Sequence, residues 1–134
     1  MKIEVFREID FSEGFLGNYL VIKIAFKIDD KIIHDYIDAI RMITKNTAAR
    51  ERLYRVAEEF KEKTGFKAKS YEFEKRIKIN GRTIDEIKRI IKIETRKTRR
   101  ELESMLSEWK RELEKVEKLE KWIIKEYKIA EFEL

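Results

Sequence analysis

Residues 83–127 read TIDEIKRIIKIETRKTRRELESMLSEWKRELEKVEKLEKWIIKEY, 45 positions without a glycine or a proline. The two residues that best stop a helix are therefore missing. Thr83-Ile84-Asp85-Glu86 is a Thr-x-x-Glu capping box, and an Asn80-Gly81 turn precedes it. An unbroken helix of this length measures about 66 Å at 1.5 Å per residue. A compact chain of this size has a radius of gyration of only about 14 Å. Such a helix either protrudes toward a partner or folds back on itself.

The second half of the stretch keeps a seven-residue repeat. Leu102, Trp109, Val116, Ile123 and Ala130 form one row; Leu106, Leu113 and Tyr127 form its partner, interrupted at Glu120. This is the two-position seam of a coiled coil or a helix bundle. Glu114 with Lys118 and Glu117 with Lys121 add i,i+4 pairs in the favourable order. Leu119 and Trp122 widen the apolar face near the end. The seam predicts a homodimer interface through Leu102, Leu106, Trp109, Leu113, Val116 and Ile123, or packing on the chain's own helices.

The first half is out of phase with that seam. Ile84, Ile87 and Ile91 set its register, which slips by a stutter-like step between Thr98 and Leu102. Between Ile93 and Leu102 there is no apolar residue, so Glu94–Glu101 reads as a solvated bridge or a hinge. Lys88, Lys92, Arg96 and Arg100 recur at i,i+4 spacing across this window, flanked by Arg89, Lys97 and Arg99. Like charges at that spacing cost roughly 0.2–0.5 kcal/mol per pair. The downstream half alternates signs and avoids this cost. Arg76 and Lys78, with Lys75 and Arg82, precede the row and can extend it.

Composition narrows the reading further. The chain has 134 residues, enough for one domain with one core. Charged residues make up 44% and hydrophobic residues 43%, a balance that excludes disorder. There is no Cys and no Gln, and only three Asn. With abundant Lys, Glu and Ile, this is the profile of a thermophile protein. Thiol chemistry, disulfides and Cys-based zinc sites are excluded. No apolar run approaches a bilayer span and the start does not resemble a signal peptide, so a soluble, cytoplasmic protein is expected. The net charge of +5 is unevenly spread: residues 66–100 carry 13 basic and 5 acidic side chains, a local excess of +8. That asymmetry points to an acidic partner. The competing explanation is the charge-rich, solvated surface of a thermophile protein.

Upstream, Lys2–Phe11 and Tyr19–Ile28 alternate as strands, the second with Leu20, Ile22, Ile24, Phe26 and Ile28 on one face. They predict an antiparallel hairpin. Asp29-Asp30 is expected to cap a helix over 31–44, and Thr47 a second helix to Lys63 ended by Gly65. Residues 66–79 read as extended with a break near Ser70. Ala130, Phe132 and Leu134 alternate with Glu131 and Glu133 as a short terminal strand. The predicted fold class is α+β: a small antiparallel sheet packed with two short helices and one long C-terminal helix.

Other constellations carry less. His34 is the only histidine and has no second nitrogen ligand to share a metal. Asp29-Asp30-Lys31 has the acidic-x-Lys form of metal-dependent nuclease cores, which need a further carboxylate such as Glu8, Asp10 or Glu13. The glycines, Gly14, Gly17, Gly65 and Gly81, form no phosphate loop. Tyr71 and Phe73 stand near the basic residues but share a face with Ile77 and Ile79, as core residues do. The expectation is a non-enzymatic nucleic-acid-binding protein without cofactor or metal, DNA or RNA being held through its phosphate backbone. The rival is a structural or protein-interaction module assembling through the long helix.

Overall fold

A computed structural model describes the backbone of residues 1–127 and the side chains of residues 1–122. The strand expected over Ala130, Phe132 and Leu134 lies outside the described residues. The elements run β1 (Ile3–Gly14), β2 (Gly17–Ile28), β3 (Lys31–Ile33), α1 (Tyr36–Ile43), α2 (Thr47–Thr64), β4 (Glu74–Lys78) and α3 (Ile84–Tyr127). This is the expected α+β arrangement, an antiparallel sheet of four strands with the longest helix last.

The alternation in β2 organises the sheet. Leu20, Ile22, Ile24, Phe26 and Ile28 are buried, and their β1 partners Phe11, Ile9, Arg7, Val5 and Ile3 share that face. β1 takes one edge of β2 along its whole length. On the other edge, β4 pairs with Tyr19–Lys23 and β3 with Phe26–Ile28, one following the other. At the hairpin tip Gly17 has φ +131, where an added Cβ would stand 3.0 Å from Asn80 Oδ1. That oxygen accepts the Asn18 N–H at 2.6 Å, which fastens the hairpin to the turn preceding α3.

Asp29-Asp30 does not cap a helix. Both residues have positive φ, 49 and 64, and form a two-residue turn that returns the chain as β3. Asp tolerates this conformation, and two positive φ values suit the twist of a tight hairpin. The helix expected from residue 31 therefore starts at Tyr36, capped by Asp35, whose carboxylate accepts the Ile37 N–H at 2.8 Å. For α2 the cap is Asn46 rather than Thr47, and Gly65 ends it in the left-handed conformation as expected. Of residues 66–79 only Glu74–Lys78 joins the sheet, after a series of bends at 68–71.

α3 is unbroken and starts where the capping box places it, with Thr83 Oγ1 accepting the Glu86 N–H at 3.2 Å. The window Glu94–Glu101 is neither a hinge nor a solvated bridge. Thr98 is only 4% exposed, Lys75 reaches Glu94 at 3.0 Å, and Arg7 donates to Thr95. Short threonines and paired charges let the helix lie against the sheet where aliphatic residues are missing. Farther along, Met105 and Trp109 enter the core, and Trp109 stacks on Phe26 with ring centroids 5.8 Å apart. The Trp109 indole donates to the Leu53 carbonyl at 3.0 Å. Glu112 meets Arg52 at 3.1 Å, and Glu120, the interruption in the seam, accepts from the Asn46 side chain. α2 thus runs antiparallel to α3, and the unbroken long helix packs onto its own domain.

Tyr36 joins α1, α2 and the bends before β4. Its ring stacks on Phe73 at 4.8 Å, and its hydroxyl donates to Glu58 while standing 2.9 Å from the Ser70 carbonyl. Lys61 donates to the same carbonyl at 2.7 Å. Burial, reinforced by the Glu58 carboxylate, pushes the Tyr36 phenol well above its ordinary range. A phenol raised by folding contributes stability that is complete below its unfolded value of about 10 and is lost as pH climbs beyond it. Urea midpoints measured from pH 8 upward should therefore fall above about pH 10, and Tyr36→Phe should flatten that decline.

Candidate nucleic-acid interface

Lys88, Arg89, Lys92, Arg96, Lys97, Arg99 and Arg100 are all exposed on α3, because Ile87, Ile91 and Thr98 occupy its inward side. Among the described residues this set makes one ion pair, Arg99 with Glu103 at 3.2 Å. The downstream half behaves differently: Arg111 meets Glu108 at 2.8 Å, Lys115 meets Glu112 at 3.3 Å and Lys121 meets Glu117 at 3.1 Å. The Arg52 guanidinium, helped by Lys115, also holds the Glu112 carboxyl below the usual carboxylate range. One helix therefore carries an ion-paired surface and, upstream of it, a concentration of uncompensated positive charge.

The row winds across the helix. Arg99 lines a groove shared with Ile3, Val5 and Arg7 of β1. Lys97 and Arg100 line a cleft on the other flank, shared with Lys63 in the last turn of α2 and Lys75 of β4. Glu94 and Glu101 also line that cleft, and Glu94 is engaged by Lys75. The cationic surface thus continues onto α2 through Lys63. The sequence signal for Lys63 was faint: a basic residue beside the Gly65 stop, which only the antiparallel packing of α2 on α3 brings to Lys97.

Arg76 and Lys78 do not extend the row. They pair across from Val21 and Tyr19, the β2 positions that point away from the helices. Arg76 instead holds the buried Glu74 at 3.3 Å, which Lys23 also approaches at 3.8 Å. The alternation of a strand places these charges on the opposite face of the sheet from α3.

The seam residues are largely consumed within the chain. Trp109 and Val116 are buried, and Leu102, Leu106 and Leu113 are half-buried against the same core. The side chain of Ile123 lies outside the described residues. Leu119 and Trp122 are exposed. Phe73 is core, whereas Tyr71 is half exposed and lines a cleft with Tyr54, Asp35 and Asp38. His34 bonds Glu8 at 3.1 Å on the open face of the sheet. The carboxylates named as partners for Asp29-Asp30 are held away by register, Glu8 opposite Lys23, Asp10 opposite Val21 and Glu13 opposite Asn18.

Comparison with protein-family models, curated proteins and solved structures gives no match. No described helix is long and apolar enough to cross a membrane.

Proposed function

We propose that this protein binds nucleic acid without catalysing a reaction, holding the phosphate backbone with Lys88, Lys92, Arg96, Arg99 and Arg100. The observation that carries the reading is the contrast within α3. A surface made only for solubility or heat resistance would pair these cations as the downstream half does. Instead the row accepts like-charge repulsion at three successive i,i+4 steps. It spans about 18 Å of helix axis, against a duplex that presents a phosphate charge about every 1.7 Å. Among the described residues no exposed aromatic side chain interrupts the row, which favours duplex backbone over stacked single strands. Base readout has no residues assigned to it, so sequence preference is weak. With Trp109 and Val116 in its own core, a single chain suffices for the contact. The cytoplasm is the compartment this role fits.

Fluorescence anisotropy of labelled duplex and single-stranded probes across a salt series tests the proposal. Duplex binding should be micromolar or tighter at about 50 mM salt and weaken steeply, with a log–log slope of roughly −4 to −5 for five phosphate contacts. Absence of binding to either probe at that salt would refute it.

A further inference from the structure

β1 is a 12-residue edge strand, and its free side is unusually well furnished. The Asn18 carbonyl accepts from Ile79 N–H at 2.9 Å, and the Ile24 N–H donates to the Phe73 carbonyl at 3.1 Å. The even-numbered backbone groups of β2 therefore point toward β3 and β4, and the odd-numbered ones toward Glu4, Phe6, Glu8, Asp10 and Ser12 of β1. This leaves the N–H and C=O groups of Ile3, Val5, Arg7, Ile9 and Phe11 directed outward, with no strand beside them among the described residues. A groove of about 350 Å³ runs between this edge and α3. Ile3, Val5, Leu102 and Leu106 line it, with Arg7 and Arg99 among its polar residues. On the opposite face the same strand presents Glu4, Glu8 and Asp10.

We infer that the β1 edge is a docking site for an extended segment of a partner protein in which apolar residues alternate with lysine or arginine. An added strand would complete the main-chain ladder from Ile3 to Ile9, place its apolar side chains in the groove and set its cations against Glu4 and Glu8. The period of two makes both faces bind at once, and the opposite charges across the ladder select the sequence. A second copy of this chain is a poor occupant. The long antiparallel self-pairings set Glu4 against Glu8 or Asp10, or Glu8 against itself, and like charges directly opposite are destabilising. Natural edges use such inward and outward charges to refuse identical strands. Here Arg7 and the three carboxylates refuse self while leaving a strand of opposite charge admissible.

The probe is a capped peptide of lysine, threonine, valine, isoleucine, lysine and isoleucine, titrated into the full chain without nucleic acid and followed by anisotropy. Its partner replaces both lysines with glutamate. The lysine peptide should bind at least roughly tenfold more tightly, and methylating alternate peptide nitrogens should abolish its binding. In the double variant Glu4→Lys with Glu8→Lys the preference should invert. Equal affinity for the two peptides, no inversion, or no binding at about 1 mM would overturn the inference. So would a stable homodimer dissociated by Val5→Lys, which would mean that a second copy occupies the edge. The nucleic-acid reading stands or falls separately, since the residues varied here, Glu4, Val5 and Glu8, lie outside the cationic row and the peptide is titrated without nucleic acid.

Discussion

Trp109→Ala is expected to lower the unfolding free energy by about 4 kcal/mol, within the range of large buried aromatic truncations. Trp109 is 2% exposed and stacks on Phe26, itself fully buried, so the vacated volume has no solvent-facing side from which to collapse. The substitution also removes the indole donor from the Leu53 carbonyl, which ties α2 to α3. An acceptor left without its partner adds to the cost. Equilibrium urea unfolding measures the loss. A loss below about 1 kcal/mol, the range of surface substitutions and mild core changes, would mean that the seam does not close on its own domain. Sedimentation of the variant adds a second reading: a seam used between chains would show as a change of mass, whereas the packing described here changes stability alone.

The second large effect separates binding from folding. The pair Lys92→Glu with Arg100→Glu turns three repulsive i,i+4 contacts, from Lys88 through Arg100, into three attractive ones. The variant should be more stable than the parent by about 1 kcal/mol. Its affinity for duplex at about 50 mM salt should fall roughly a hundredfold, and the salt slope should drop by about 2, as two phosphate contacts are lost. Lys118→Glu with Lys121→Glu makes the same change of net charge on the downstream half. That control should leave binding within a few-fold of the parent. If both pairs weaken binding alike, net charge and not the row is responsible, and the proposed interface is wrong. A gain in stability paired with a loss of binding is the mark of charges kept for a partner.

The sequence made some elements legible because their signals are local. The alternation of Tyr19–Ile28 names the central strand and the face it buries. The capping box at Thr83 and the stop at Gly65 act through groups within a few residues of themselves, and both appear where expected. Asp29-Asp30 was harder, since the same two residues serve as helix caps or as a tight turn. The ladder between Ile28 and Lys31 decides between them, and that pairing is a tertiary matter.

The cationic row was legible for a similar reason: exposure on a helix follows from its period, given the inward isoleucines. Its extension was not. Arg76 and Lys78 are near in sequence but on the wrong face, while Lys63 is distant in sequence and adjacent in space. The open edge of β1 and the groove beneath it are likewise properties of how α3 crosses the sheet.

What the sequence determined by itself is the start of the long helix, its phase-shifted halves and the division of charge between them, because helix period and capping are encoded within a turn or two. That the two halves form one unbroken helix is decided by the structure. Only the tertiary structure decided what that helix rests on. A seven-residue seam buries equally well against a second chain or against its own domain, since burial of apolar surface has no direction. Here Phe26 and Leu53 supply the matching surface, so the seam closes at home and the cations stay outside.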